Sequence, residues 1–317
     1  MRFWARVGLA AGVLGSVIAI AGPVVVDAGL AEYAPRQGIS GTVKSVGSDS
    51  MVTMMTRWTE DFRREYPGVK VEVEGKGSST APPALVESLA QFGPMSRDMK
   101  SSEAEAFEKK FGYKPTGLRV AIDALGVFVH KDNPLREISL DQLAKAFSVA
   151  GPDLTWGDLG VMEPRLKDKP LALYGRNSAS GTYGYFKEHA LGKADFKATV
   201  KEQPGSSGVV QAVATDVTGL GYSGVGYTTA DVRMLKITGA DGAGVEGTYE
   251  NCLSGEYPLA RFLLVYINKD PGASLDPLRG EFVRFIFSRQ GQEAVVKDGY
   301  FPVTAEMAAE ELRKAGL

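Results

Sequence analysis

From residue 41 onward the chain switches repeatedly between two periodicities. "GTVKSVG" reads as a strand, and "SDSMVTMMTRWTEDFRREYPG" follows it with Met51, Met55, Trp58, Phe62 and Tyr66 every three or four residues, the spacing of an amphipathic helix. The pattern returns at "VKVEVEG", an alternating strand, then a turn "KGSST" and a helix "APPALVESLAQ" with prolines in its first turn and Leu85, Val86 and Leu89 apolar. It returns again at "LALYGRNSASGTYGYFKEHAL". Three strand–turn–helix units, each with hydroxyl residues at the turn, predict parallel sheets with binding at the carboxyl ends of the strands.

Two further segments resemble each other: "ALGVFVHKDNP" from Ala124 and "FLLVYINKDPG" from Phe262, each an apolar strand ending in a charged turn. They are either the two passages of the chain between lobes or plain core strands. On the first reading, residues 41–120 and 256–317 form lobe one and residues 121–255 form lobe two. Two linkers then permit closure about a cleft.

Composition narrows the classes. The chain has 317 residues, 44% hydrophobic and 23% charged, which suits two soluble α/β domains. Its 38 glycines and 16 prolines are spread along it, as expected for many tight turns. A formal net charge of −2 gives no broad basic surface for nucleic acid or anionic membrane, so any bound anion must be held locally. At the N-terminus, Arg2 and Arg6 precede an apolar run from Val7 to Val26 and then small residues. Residues 1–31 are predicted to be a secretory signal peptide, cut after Ala21 or after Ala31, with an uncleaved membrane anchor as the alternative. The lone cysteine, Cys252, can neither close an intramolecular disulfide nor carry an N-terminal lipid, and export without disulfides is compatible with a bacterial periplasm.

The hydroxyl turns carry the chemistry. The first N–H groups of a helix lack intrahelical partners and bear partial positive charge, so a helix start can hold an anion. In "YGRNSASGTYGYF", Arg176 can present a planar fork of donors, with Ser180, Gly181 and Thr182 supplying N–H groups and hydroxyls just behind it. Ordinary capping by serine or threonine is the competing reading of any one such turn. Three in one chain, one of them with an arginine, favour an oxyanion.

Catalytic readings find little support. His130 and His189 have no second histidine or cysteine at metal-ligand spacing. "GKGSST" lacks the first glycine and the terminal hydroxyl of a phosphate loop, and "GYSGVGY" has Val225 where a nucleophile elbow needs glycine. The methionines Met51, Met54 and Met55 read as core packing. The acidic pairs Glu60 with Asp61 and Glu310 with Glu311 read as solvated helix faces. No catalytic residue, metal or cofactor is expected.

The series "VGSDSM", "GKGSST", "FGPMSRDM", "GRNSASGT", "GLGYSGVGY" and "FSRQGQEAVVKDGYFPV" resembles, in order and approximate spacing, the periplasmic phosphate-binding proteins of bacterial high-affinity phosphate ABC importers. The likeness covers nearly all of the chain after the leader, and R-x-x-x-S-G-T from Arg176 to Thr182 is its most specific element. It implies a two-lobed α/β binding-protein fold of type II, with parallel-sheet-rich lobes, two linker strands and a dehydrated phosphate between the lobes. It also implies a ligand shell of the Ser50 hydroxyl, the Met51 backbone N–H, Ser78, Ser96, Arg176, Ser180, Gly181 and Thr182. Ser96 stands where the family commonly has an aspartate that accepts from protonated phosphate, which puts rejection of sulfate in doubt. Asp49 or Asp98 is a candidate to compensate, and Lys76 either adds charge to the site or points to solvent.

The expected function is therefore an exported, periplasmic, monomeric, non-enzymatic protein that captures inorganic phosphate and delivers it to a membrane permease and its ATPase. The alternatives are a binder of another oxyanion, a phosphate sensor or scaffold without transport, and a phosphoryl-transfer or hydrolytic enzyme using the same anion pocket.

Overall fold

The computed structural model describes residues 24–239 and 242–317. In chain order the first elements are β1 (Gly41–Val46), α1 (Val52–Glu65), β2 (Val69–Glu74), α2 (Ala81–Val86), β3 (Phe92–Met95) and α3 (Ser101–Phe111). A long strand β4 (Thr116–His130) then leads to β5 (Glu137–Ser139), α4 (Leu140–Phe147), β6 (Ala172–Arg176), α5 (Gly181–His189), β7 (Lys201–Gln203), α6 (Ser206–Ala214) and β8 (Gly219–Gly224). Short strands β9 (Val232–Met234), β10 (Lys236–Thr238) and β11 (Gly244–Val245) and the helix α7 (Tyr249–Ser254) precede β12 (Ala260–Ile267). The chain ends in α8 (Pro277–Ile286), α9 (Arg289–Lys297) and α10 (Ala305–Lys314).

The main sheet runs β2-β1-β3-β12-β4-β8-β6-β7, with β9 beside the end of β4. Pairing is parallel at both ends, β1 with β2 and β3, and β6 with β7 and β8. In the middle it is antiparallel, because β12 pairs with β3 and β4 and β4 pairs with β8 in that sense. The sheets are therefore mixed rather than parallel throughout. β4 is shared: Thr116 to Ala124 pair with β12, and Leu125 to Val129 pair with β8. Among the described residues β12 pairs with β3 and the first stretch of β4, so of the two look-alike segments, the one from Ala124 runs on toward β8 while the one from Phe262 stays beside β3.

Two main cores flank this junction. One gathers Met54, Met55, Trp58 and Phe62 of α1 with Phe92, Phe282 and Val295, and the three- to four-residue spacing read in the sequence is the face that α1 buries. The other gathers Val127, Leu143, Phe147, Trp156, Phe186 and Tyr222, with Phe186 stacked on Tyr222 at 4.0 Å between centroids. Within the first core the indole of Trp58 is satisfied, its Nε1 donating to Gly291 O at 2.7 Å.

Two side-chain expectations are corrected. Leu89 is 66% exposed rather than part of an apolar helix face, because α2 ends at Val86 and Ser88 adopts a left-handed φ of 56° that turns the chain outward. Glu311 is fully buried rather than solvated, since it pairs with Arg119 of β4 and with Lys314 at 2.8 Å, so α10 is pinned to the central strand by charge. The sequence between Met1 and Pro23, most of the expected leader, lies outside the described residues. The segment from Asp27 to Ala31 packs onto the body: Leu30 is buried, Asp27 accepts from the Ala305 N–H at the start of α10, and Ala31 O accepts from Arg289 N.

Candidate anion-binding site

Four helix starts converge where the two halves meet. After β1 a 3-10 turn, Asp49–Met51, leads into α1, and after β2 another, Ser78–Thr80, leads into α2. From the other half come α5, starting at Gly181 just beyond β6, and α6, starting at Ser206 just beyond β7. Ser50, Ser78, Ser96, Ser180, Thr182, Ser206 and Arg176 are all buried there. Ser50 Oγ lies 2.9 Å from Thr182 Oγ1 and 3.2 Å from Ser206 Oγ, so hydroxyls of one half hydrogen-bond to those of the other.

Close approach depends on two glycines. A Cβ on Gly181 would sit 2.2 Å from Ser78 Oγ and 2.7 Å from Ser96 Oγ, and one on Gly77, at φ 112°, would sit 2.6 Å from Ala179 O. The halves also join through backbone, with Ser79 N donating to Ala179 O at 3.1 Å.

Three of these hydroxyls accept from groups that can only donate. Arg176 Nη1 donates to Ser206 Oγ at 2.6 Å, Arg261 Nη2 to Thr182 Oγ1 at 3.1 Å and the Ser96 N–H to Ser78 Oγ at 3.0 Å. A hydroxyl that accepts from an obligate N–H donor keeps its own hydrogen to give away. Three hydroxyls from both halves thus each keep a hydrogen to give, which Thr182 and Ser206 can share with Ser50 Oγ at 2.9 and 3.2 Å or turn to an oxyanion.

Arg176 supplies the positive charge. Its Nη2 lies 3.1 Å from Asp49 Oδ2, which also accepts from the Ser206 N–H at 2.8 Å, while its Nε has no hydrogen-bond partner among the described residues. Burial pulls the guanidinium below its ordinary pKa, and Asp49 opposes that pull; arginine stays charged regardless. A buried cation with an unpartnered N–H is costly by itself and is relieved by an anion. The surrounding tyrosines act as props: Tyr222 Oη accepts from Arg176 N, Tyr227 Oη donates to Asp49 O, and Tyr300 Oη donates to Ser50 O. Burial raises the phenols of Tyr222, Tyr227 and Tyr300 well above their usual value, so all remain protonated.

The expected shell thus comes together, with differences in detail. The Met51 N–H turns onto Ser48 O at 3.3 Å while its side chain is buried in the core, and Ser180 caps α5 by accepting from Tyr183 N. Ser96 Oγ accepts from Ser48 Oγ at 3.1 Å and lies 3.3 Å from Ser78 Oγ. Lys76 is exposed and pairs with Glu74, and Asp98 is exposed, so of the extra charged residues only Asp49 enters the cleft. His189 stacks on Tyr185, His130 lies at the end of β4, and burial pushes the Cys252 thiol up to about 12. Among the described residues no group of three or more His, Cys, Asp or Glu is placed to hold a metal ion.

Sequence reasoning missed Ser206, Arg261 and Asp123. "PGSSG" before α6 was the available signal for Ser206, a fourth hydroxyl turn after a strand too short to stand out. Arg261 and Asp123 carried no local signal. They form a buried ion pair, Nη2 to Oδ2 at 2.7 Å, between neighbouring strands.

Fold and site together define a class, the two-lobed solute-binding proteins that hold a small ligand between α/β halves. The chain belongs to the PBP superfamily, whose domain model matches residues 33–290, and within it to the PstS phosphate-binding proteins. It is 48% identical over 323 residues to Phosphate-binding protein PstS of Pseudomonas aeruginosa, covering 100% of this chain and 99% of that one. A solved Clostridium perfringens structure with bound phosphate aligns with a TM-score of 0.70 at 26% identity, covering 83% of this chain and 100% of that one. The ABC-type phosphate transport receptor from Vibrio cholerae shares the fold, with a TM-score of 0.66 at 22% identity over 82% of this chain and 100% of that one.

Proposed function

We propose that the protein captures inorganic phosphate in the cleft between its lobes and delivers it to an ABC importer. The observation that carries this reading is the buried Arg176 beside three donor-set hydroxyls, Ser78, Thr182 and Ser206, drawn from both halves. The ligand shell is Ser50, the Met51 backbone, Ser78, Ser96, Arg176, Ser180, Gly181 and Thr182, to which Ser206 is added. Lobe one is residues 41–120 with 256–317 and lobe two is residues 121–255, linked through β4 and the entry to β12; the change of strand partner at Ala124 and Leu125 supports the first passage. Affinity comes from charge-assisted hydrogen bonds in a desolvated site, and the energy for transport from the partner ATPase.

In this reading the protein is a carrier and not an enzyme, works as a monomer with a membrane permease and its ATPase, and is exported to the periplasm. Cleavage of the leader after Ala21 keeps Asp27 and Leu30, which the fold uses; cleavage after Ala31 discards both. Calorimetry against phosphate, arsenate and sulfate tests the reading, beside an assay for phosphate release from phosphomonoesters with and without divalent metal. The expected result is one tightly bound phosphate per chain and no turnover. Absence of phosphate binding, or metal-dependent phosphate release, refutes it.

A further inference from the structure

Arg261 lies near the start of β12, opposite Asp123 of β4 and one residue before β4 changes partner from β12 to β8. Both side chains are buried, at 2% and 0% exposure. Arg261 Nε and Nη2 both donate to Asp123 Oδ2, at 2.9 and 2.7 Å, and Nη1 donates to Ser96 O at 2.8 Å. Asp123 Oδ1 accepts from Val225 N at 3.0 Å, so the carboxylate is itself held. The guanidinium is therefore rigid, anchored at the strands through which the chain passes between the halves.

From that anchor it reaches the start of α5 twice. Nη2 donates to Thr182 Oγ1 at 3.1 Å, and the guanidinium carbon lies 5.3 Å from the ring centre of Tyr185, one turn along the same helix face. A buried ion pair is a poor means of adding stability, because the desolvation it suffers commonly cancels the attraction. Its geometry here has a use that an apolar pair could not supply. Because Arg261 can only donate, Thr182 Oγ1 accepts from it and keeps its own hydrogen to give, within reach of Ser50 Oγ at 2.9 Å across the cleft. Arg176 does the same for Ser206 from the other side.

We propose that Arg261, fixed by Asp123, is a positioning residue for the bound anion: it sets the Thr182 hydroxyl as a donor and docks the start of α5 against lobe one through Ser96 O. The inference rests on the phosphate reading above and deepens it, since it names a second guanidinium that shapes the site without touching the ligand.

The test is a double-mutant cycle read by phosphate calorimetry, using the parent, Arg261→Met, Thr182→Val and the combination. Arg261→Met in the parent is expected to weaken phosphate binding by about tenfold to a hundredfold, while in the Thr182→Val background the further loss is under threefold, because the hydroxyl it positions is gone. If Arg261→Met leaves a lone buried carboxylate that prevents folding, the cycle is run with Asp123→Asn added to both Arg261 variants and to their references. An equal loss in both backgrounds marks Arg261 as scaffolding only and overturns the inference, as does no loss at all. A parent that binds no phosphate overturns the phosphate reading, and this inference with it.

Discussion

The two walls of the cleft are built alike and charged differently. Each offers two helix starts at the ends of parallel strands, with buried hydroxyls. The wall from lobe one contributes Ser50, Ser78, Ser96 and the carboxylate of Asp49, and the wall from lobe two contributes Ser180, Thr182, Ser206 and the guanidinium of Arg176. Neither wall is a complete anion site: the first has donors with a negative charge beside them, the second has a cation whose Nε is left over. Across the cleft the two walls complete each other's charge, Asp49 of the first pairing with Arg176 of the second. Asp49 accepts from Arg176 and from the Ser206 N–H at the start of α6, so the contact that joins the halves also orients the Arg176 guanidinium.

The largest expected effect comes from removing the cation of the second wall. Arg176→Ala should cost on the order of 2–5 kcal/mol of phosphate affinity while the fold survives, because it deletes a charge-assisted donor from a cleft and not core volume. Calorimetry within threefold of the parent would take Arg176 out of the site.

Next is the fit between walls. Gly181→Ala puts a methyl group into Ser78 and Ser96, so the lobes must stand apart. Overpacking of this kind costs roughly 1–3 kcal/mol, here expected in affinity and little in the melting temperature of the ligand-free protein. Equal losses in both would place the strain inside one lobe.

A smaller effect sharpens the acceptor balance of the first wall. Ser96 has a hydroxyl that can turn, where a carboxylate would be a fixed acceptor facing fully ionised sulfate. Ser96→Asp is expected to raise phosphate-over-sulfate selectivity by about tenfold in competition binding. If the parent already ignores millimolar sulfate and the variant changes nothing, Asp49 sets the specificity instead.

The smallest effect lies just outside the cleft. Burial pushes the Glu103 carboxyl up, but the Arg97 fork at 2.8 and 2.9 Å and the Lys100 N–H outweigh it, and its pKa is lowered overall. A lowered folded pKa contributes stability above the unfolded carboxylate range and loses it as pH falls through the folded value. Glu103→Gln should therefore destabilise by about 1 kcal/mol near neutrality, with the gap to the parent closing as the pH drops below about 4. A gap independent of pH would show that packing, not charge, is what the substitution removes.

What could be read in advance follows the range of the forces involved. The α1 stripe and the turns at Ser50, Ser78 and Ser180 are local patterns within a few residues of a strand, and each was legible. Ser206 was not, because β7 is three residues long and gives α6 no visible strand to follow. Arg261 with Asp123, and Glu311 with Arg119, are pairings between distant stretches of chain; a lone charge in an apolar strand or on a helix carries no mark of its partner. Leu89 was misplaced because helical spacing continues through Ser88, where the backbone turns the other way.

A crystal structure of the phosphate complex tests the central claim most directly. It should show one tetrahedral anion bound by Arg176 and Thr182 from lobe two and by Ser50 and Ser78 from lobe one, with Asp49 still on Arg176. An anion held by one lobe alone, or bound away from Arg176, would contradict a site made by two incomplete walls.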